Sequence, residues 1–155
     1  MPEFRTTRRV AHSAEDMFSL VADVERYPEF VPMCEKLRVR RRAASGEGVD
    51  ILTAEMTVGY GVIHESFLSR VTLNRPGLAI NVEYLDGPFS RLDNRWTFRN
   101  LGEGRSQVGF FISYEFRSRM LGMLMGGVFD AAFRRFAEAF ERRADQVYGG
   151  AMKAG

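Results

Sequence analysis

Alternating apolar and polar residues run through most of this chain and predict β-strands, because successive side chains of a strand point to opposite faces. In the clearest example, Leu92, Asn94, Trp96 and Phe98 share one face. Clusters of Gly, Pro and Asn separate the alternating stretches and are typical of turns. The predicted strands are residues 4–10, 34–40, 49–58, 62–73, 78–85, 91–99 and 107–116.

Two other stretches show helical spacing. The first follows Ser13, which is placed as an N-cap, and should end before Pro28. The second is predicted as one long helix over residues 118–148, with a stripe of Phe129, Phe133, Phe136 and Phe140 on one face. Because an antiparallel sheet with one apolar face needs a cover, this helix should pack on the sheet. The pattern therefore predicts an α+β fold.

The segment between the first helix and the second strand contains two prolines, in Tyr27-Pro28 and Val31-Pro32. Proline cannot continue a helix, so the prolines should bracket one short helical turn. One interpretation is a stiff lip that exposes Tyr27 and Phe30 at an opening. The other is an ordinary connector whose aromatic side chains are tucked into the core.

Composition fits a single domain, predicted over residues 1–149 with a short tail over residues 150–155. The 155 residues are 45% hydrophobic and 27% charged, which is typical of soluble globular proteins. The aromatic residues are the excess, with thirteen Phe, five Tyr and one Trp. They fit either an apolar cavity lined by rings or a solid core rich in Phe.

No catalytic constellation emerges, so we expect a protein that is not an enzyme and that uses neither a metal nor a catalytic cofactor. His12 and His64 have no metal-ligand spacing, and Cys34 is the only cysteine. There is no phosphate-binding loop and no G-x-S-x-G motif. A net charge of +2 gives no reason to expect DNA binding. The N-terminus lacks the pattern of a signal peptide, which predicts a cytoplasmic protein.

The beginning of the last predicted helix is apolar on all sides and contains three glycines, which weaken a helix. Methionine is common at surfaces that rearrange around ligands. One interpretation is a mobile gate at a cavity mouth that also contacts lipid; the other is a turn buried under loops. The predicted gate residues are Met120, Met123, Leu124 and Met125.

Two polar features leave alternatives open. Arg38, Arg40 and Arg42 share a strand face, which is usually solvated but could also dock transiently on an anionic membrane surface, such as the inner face of the cytoplasmic membrane. Glu65 shares a face with apolar neighbours. It could pair with an Arg or contact a ligand, but we favour a β-bulge near Gly59 or Gly61 that returns its side chain to solvent.

Several motifs along the chain carry a family resemblance. They are Asp23, Tyr27, Pro28, Phe30 and Pro32, then residues 58–60, 65–71, 86–89 and 96–98. Together they resemble the coenzyme Q-binding protein family, within the START-like, helix-grip superfamily. That superfamily also holds polyketide cyclases, plant hormone receptors and a bacterial ribosome association toxin. The resemblance implies a seven-stranded antiparallel sheet wrapped around the long C-terminal helix, with a hydrophobic cavity between them.

The family resemblance implies that the cavity holds ubiquinone or a related polyprenyl quinone and supports respiratory electron transfer. Two alternatives stand beside it: a module that binds a ribosomal subunit, as in the toxin branch, and a polyketide aromatase or cyclase. Under the first hypothesis, Asn94 would reach a head-group oxygen. The predicted ligand contacts are Tyr27, Pro28 and Phe30 at the lip, Leu92, Asn94, Trp96, Phe98, Phe110, Ile112 and Tyr114 on the sheet, and Phe129, Phe133 and Phe136 on the helix.

Overall fold

Seven antiparallel strands form one continuous sheet in the order β1-β7-β6-β5-β4-β3-β2. The computed structural model describes residues 3–149. The strands are β1 (Glu3–Val10), β2 (Cys34–Ala44), β3 (Val49–Tyr60), β4 (Ile63–Asn74), β5 (Ala79–Asp86), β6 (Phe89–Gly102) and β7 (Arg105–Phe116). The helices are α1 (Ala14–Ala22), α2 (Arg119–Arg134) and α3 (Phe136–Tyr148), with a 3-10 helix at Val24–Glu29 between α1 and β2.

The predicted fold class is confirmed, since every strand predicted from the alternation is present and the C-terminal helices follow the sheet. Consecutive strands from β2 to β7 pair through hairpins, and β1 closes the order by pairing with β7. The strands from β2 to β7 are therefore neighbours both in sequence and in the sheet. The predicted tail over residues 150–155 lies outside the described residues.

Helix α1 begins where the sequence predicts, because the Ser13 side chain accepts a hydrogen bond from the backbone N–H of Asp16 at 3.0 Å. Met17, Phe18 and Val21 bury its apolar face in the core. The helix ends at Ala22, and the following 3-10 helix contains Pro28 inside it. The short turn therefore starts earlier than the two prolines suggest.

The single long C-terminal helix predicted from the Phe stripe is wrong in one respect, because the helix breaks at Arg135. Arg135 has φ −98° and ψ −5°, and its N–H donates to the carbonyl of Ala132 at 3.0 Å instead of continuing the α-helical pattern. Phe133 and Phe136 flank the break, and their rings contact each other with centroids 5.2 Å apart. The stripe therefore continues across a change of helix.

The two halves of this broken helix are attached to the molecule in different ways. Polar contacts hold α3 in four places. Within residues 3–149, α2 makes one long hydrogen bond to the sheet, from the Tyr114 hydroxyl to the Gly126 carbonyl at 3.5 Å. It also makes one cation–π contact with the sheet, because the Arg134 guanidinium lies 4.8 Å from the ring centroid of Phe4. The α3 contacts are His12 Nε2 with Asp145 Oδ1 at 2.7 Å, the Tyr148 hydroxyl with the Asp16 carbonyl at 3.0 Å, and the ion pairs Arg8–Glu141 and Arg143–Glu29.

Candidate ligand-binding site

An apolar cavity with a volume of about 90 Å³ lies between the inner face of the sheet and the two C-terminal helices. This is smaller than most ligand pockets, which measure roughly 300 to 1,000 Å³. Its lining residues come from β2 to β7, from the 3-10 helix and the loop that follows it, and from α2 and α3. They are Val24, Tyr27, Pro32, Leu37, Ala54, Met56, Val58, Phe67, Ser69, Val71, Ile80, Val82, Leu92, Asn94, Trp96, Ile112, Phe129, Phe133, Phe136 and Phe140.

The sheet wall is built from cross-strand rows. In the central row Val71 pairs with Val82, Val82 with Asn94, and Asn94 with Ile112. The Asn94 amide donates one hydrogen bond, from Nδ2 to the carbonyl of Phe111 at 2.9 Å. An amide has two N–H donors and an acceptor oxygen, so this bond leaves hydrogen-bonding capacity at the cavity.

The helical wall is aromatic. Phe129 and Phe133 of α2 pack edge to face with ring centroids 5.7 Å apart. Phe140 of α3 meets Trp96 with centroids 4.9 Å apart and an interplanar angle of 73°. Trp96 is 3% exposed, so its fluorescence reports on this buried wall.

The predicted lip is a packed corner instead of an exposed rim. The Tyr27 ring lines the cavity and contacts Phe140 edge to face at 5.1 Å, while its hydroxyl donates to the Val21 carbonyl. Burial raises the pKa of Tyr27, so the phenol remains protonated as a donor. Phe30 packs behind it on Phe140 at 5.0 Å and Pro28 is exposed, so neither lines the cavity.

Three further predicted contacts lie in the core and not in the cavity wall. Phe98 is enclosed by Trp96 and by Phe18 of α1. Phe110 and Tyr114 are each almost fully buried among other rings. Their strand face is apolar as predicted, but neighbouring side chains already fill the space before them. The aromatic excess therefore makes a solid core at these positions, while the predicted residues that line the cavity are Tyr27, Leu92, Asn94, Trp96, Ile112, Phe129, Phe133 and Phe136.

The start of α2 exposes Met120, Met123 and Leu124, with 71%, 81% and 59% of their surfaces accessible. Met125 is 1% exposed, so its assignment to the gate is wrong. Helical periodicity turns it toward the sheet together with Phe129, four residues later. The three exposed residues form the remaining gate candidate.

The alternation did not single out the β3–β4 part of the wall, which contributes Ala54, Met56, Val58, Phe67, Ser69 and Val71. The signal that could have found them is their shared inward face in the β3–β4 register, where Ala54 opposes Ser69 and Met56 opposes Phe67. Glu65 continues this face as the partner of Val58. The predicted bulge is absent from the β3–β4 register, and Glu65 is half-buried at the end of the wall.

The chemistry of the wall is apolar and uncharged. Its polar side chains are Ser69, Asn94 and the Tyr27 hydroxyl. The part of the chain that the structure describes contains no group of three His, Cys, Asp or Glu residues placed to hold a metal ion. In residues 3–149 no helix is both long and apolar enough to cross a bilayer. The wall can thus solvate a neutral, mainly apolar molecule.

Comparison with known sequences assigns this chain to a protein family. The family described as "Polyketide cyclase / dehydrase and lipid transport" matches residues 10–141. The ribosome association toxin RatA of Vibrio cholerae is 35% identical over 149 residues, which cover 96% of this chain and 99% of the toxin. The mitochondrial coenzyme Q-binding protein COQ10 homolog B of Xenopus laevis is 30% identical over 95% of this chain and 59% of its own length.

Solved structures agree with the sequence comparison. An 18 kDa protein of Caulobacter crescentus, known from a solution structure, has 33% sequence identity and a TM-score of 0.77, with 97% of this chain and 100% of that chain covered. The ZhuI aromatase/cyclase of a Streptomyces species shares the fold at 19% identity and a TM-score of 0.73, covering 97% and 99%. The chain therefore belongs to the START-like family of polyketide cyclases, dehydrases and lipid-transport proteins.

Proposed function

We propose that this protein holds ubiquinone or a related polyprenyl quinone in the cavity between the sheet and the C-terminal helices, as a non-enzymatic carrier that supports respiratory electron transport. The observation that carries the proposal is the cavity wall, which combines aromatic and aliphatic side chains with a few uncharged polar groups. A neutral ring with an isoprenoid tail matches that chemistry. The coenzyme Q-binding relative supports the same ligand class.

Burial of the tail supplies the affinity. Apolar surface removed from water contributes roughly 25 cal/mol per Å², so several isoprene units outweigh the cost of association. The present volume of about 90 Å³ does not hold such a tail. The ligand must therefore displace part of the wall, and α2 is the part with the weakest polar attachment to the sheet.

A cavity-filling variant tests the proposal. Ala54 is 5% exposed and lines the cavity, so Ala54→Leu places additional carbon atoms in the free space. Ala44, which is exposed at the end of β2, provides the matched control Ala44→Leu. We expect mass spectrometry of an organic extract to find a polyprenyl quinone with the wild type and with Ala44→Leu, and at least tenfold less with Ala54→Leu. A wild-type extract without quinone would contradict the proposal.

A second candidate function is association with a ribosomal subunit, which the names of the RatA relatives favour. The outer face of the sheet offers a surface for RNA phosphates, since the guanidinium groups of Arg5 and Arg95 lie 4.4 and 5.7 Å from the ring centroid of Phe111. Arginine binds phosphate through several N–H donors, and such binding weakens with salt. This surface lies opposite the cavity wall.

Co-sedimentation with purified ribosomal subunits separates the two candidates. Under the second candidate, Arg5→Glu combined with Arg95→Glu should abolish co-sedimentation, while Ala54→Leu should leave it intact. Under the quinone proposal, Ala54→Leu should lower the recovery of quinone, while Arg5→Glu combined with Arg95→Glu should leave it unchanged. A cyclase activity has the shared fold as its support, and no arrangement of side chains in the cavity adds to it.

A further inference from the structure

Ser69 is a buried polar residue in the cavity wall that the packing of the protein does not satisfy. Its side chain is 4% exposed, and its hydroxyl oxygen has no hydrogen-bond partner among the described residues. Buried hydroxyl groups are nearly always paired, because an unpaired one loses its hydrogen bonds to water. An unpaired hydroxyl that lines a cavity is therefore placed to bind what enters it.

The surrounding strands explain why Ser69 has no partner. On β3 it opposes Ala54, which has no polar side-chain atom. On β5 it opposes Tyr84, whose hydroxyl accepts a hydrogen bond from the Phe89 backbone N–H at 3.0 Å. Ser66, on the outer face of the same strand, has the usual cross-strand partner, Thr57, at 2.8 Å.

Regular alternation along β4 sets the direction of this side chain, because Phe67 and Val71, two residues to either side of Ser69, also line the cavity. A β-bulge lies beside Ser69 on the neighbouring strand. The β4–β5 register shifts between Leu68 and Ser69, and the additional residue, Leu85 of β5, is exposed. Bulges are common beside binding sites.

Asn94 is the other polar side chain of the sheet wall with hydrogen-bonding capacity left, since one of its two amide hydrogens is used by the Phe111 carbonyl. Ser69 is on β4 and Asn94 is on β6, with β5 between them. Two strand spacings and a shift of two residues along the strands separate their Cα atoms by roughly 12 Å. A single oxygen atom cannot bond to both side chains, whereas a ring with oxygen atoms on opposite sides can.

We propose that Ser69 and Asn94 bind the two opposite oxygen atoms of a para-quinone ring, and that Ser69 is the specificity-determining contact for the ligand head group. This inference rests on the proposed quinone-binding function. It adds which atoms of the sheet wall recognise the head group. The isoprenoid tail then extends along the aromatic wall formed by Phe129, Phe133 and Phe136.

The same two side chains suit both oxidation states of the ligand. Toward a quinone, the Ser69 hydroxyl and the free amide hydrogen of Asn94 donate to the carbonyl oxygens. Toward a quinol, the Ser69 oxygen and the Asn94 carbonyl oxygen accept from the ring hydroxyl groups. We therefore expect the wild type to bind decylubiquinone and decylubiquinol with affinities within about threefold of each other, as binding by one exchangeable hydrogen bond at each end implies.

Ser69→Ala tests the proposal directly, with Ser106→Ala as the matched control. Ser106 is 0% exposed and its hydroxyl also lacks a partner in the described part of the chain, but it does not line the cavity. We expect Ser69→Ala to weaken decylubiquinone binding about three- to tenfold, which is the range of one net hydrogen bond. Ser106→Ala should leave binding unchanged. Quenching of Trp96 fluorescence provides the measurement.

A second ligand separates head-group recognition from a general loss of packing. Decylbenzene has the ring and tail but no oxygen atoms, and it should displace decylubiquinone from the wild type and from Ser69→Ala with the same affinity. If Ser69→Ala binds decylubiquinone as tightly as the wild type does, or if it loses both ligands equally, the inference is overturned while the proposed function stands. If the wild type binds no quinone, the proposed function fails and the inference fails with it.

Discussion

Replacing two glycines of α2 gives a quantitative prediction about whether this helix opens when ligand is exchanged. Gly126 and Gly127 lie in the interior of α2, and a Cβ atom added at either position would meet no heavy atom within 4 Å. Alanine therefore fits without strain. Glycine costs a helix about 1 kcal/mol relative to alanine, so Gly126→Ala combined with Gly127→Ala should stabilise α2 by about 2 kcal/mol.

The expected result is slower ligand exchange. If quinone enters and leaves when α2 unwinds locally, 2 kcal/mol added to the opening free energy slows exchange about thirtyfold, since each 1.36 kcal/mol is a factor of ten in rate. Transfer of a fluorescent quinone analogue between liposomes measures the rate. Denaturant unfolding measures the free energy of unfolding of the same variant.

Val147→Ala on α3 is the control. Val147 is 52% exposed, and the substitution raises helix propensity by roughly 0.5 kcal/mol in the helix that four polar contacts already hold. It should leave the exchange rate unchanged. If the double glycine variant gains unfolding free energy but exchanges quinone at the wild-type rate, then α2 does not open by unwinding, and the reasoning from helix propensity is refuted.

Three further predictions concern single side chains. Burial raises the pKa of Tyr114 to about 12, so the folded state keeps its phenol protonated where the unfolded chain, with a pKa near 10, loses the proton. The free energy of unfolding should therefore fall by about 2 to 3 kcal/mol as the pH rises from 10 toward 12, and this shift should cause no loss below pH 10. Tyr114→Phe should remove that part of the pH dependence in denaturant titrations. Tyr27→Phe removes the hydrogen bond to the Val21 carbonyl and should cost about 1 to 2 kcal/mol of unfolding free energy, yet quinone affinity should be unchanged in a fluorescence titration because the ring stays in the wall. Met123→Glu changes a residue that is 81% exposed, so it should leave stability within about 0.5 kcal/mol of the wild type but reduce sedimentation with anionic vesicles about tenfold; equal sedimentation would contradict lipid contact at α2.

The sequence predicts the sheet well because its signal is local. Leu92, Asn94 and Trp96 fall on one face by alternation alone, and the structure pairs all three in a regular register with β7. The break at Arg135 was not predictable in the same way. The Phe stripe has the same spacing in a straight helix and in a broken one, so the spacing of these residues does not reveal a break.

The cavity was harder to predict, for a physical reason. Hydrophobic patterns identify faces that are buried, but they do not tell filled space from empty space. Phe98 and Phe110 satisfy the pattern and fill the core. Ala54 and Ser69 weaken the pattern because they are small or polar, and these small side chains help leave room for the cavity. The wrap of the sheet around the helices was implied by the family resemblance and not by periodicity.

The different attachment of α2 and α3 bears on how a small cavity could admit a large ligand under the proposed function. A cavity of about 90 Å³ cannot hold a quinone with a prenyl tail, so binding requires one wall to move. The sheet wall is fixed by its strand pairing, and α3 is fixed by the contacts of Asp145, Tyr148, Glu141 and Arg143. Helix α2 carries two of the four phenylalanines of the helical wall and has one long hydrogen bond to the sheet, and the break at Arg135 separates it from α3. Under the proposed function, α2 is therefore the wall that we expect to move. The exposed methionines at its start lie on that element, where we expect the ligand to pass between the cavity and a membrane.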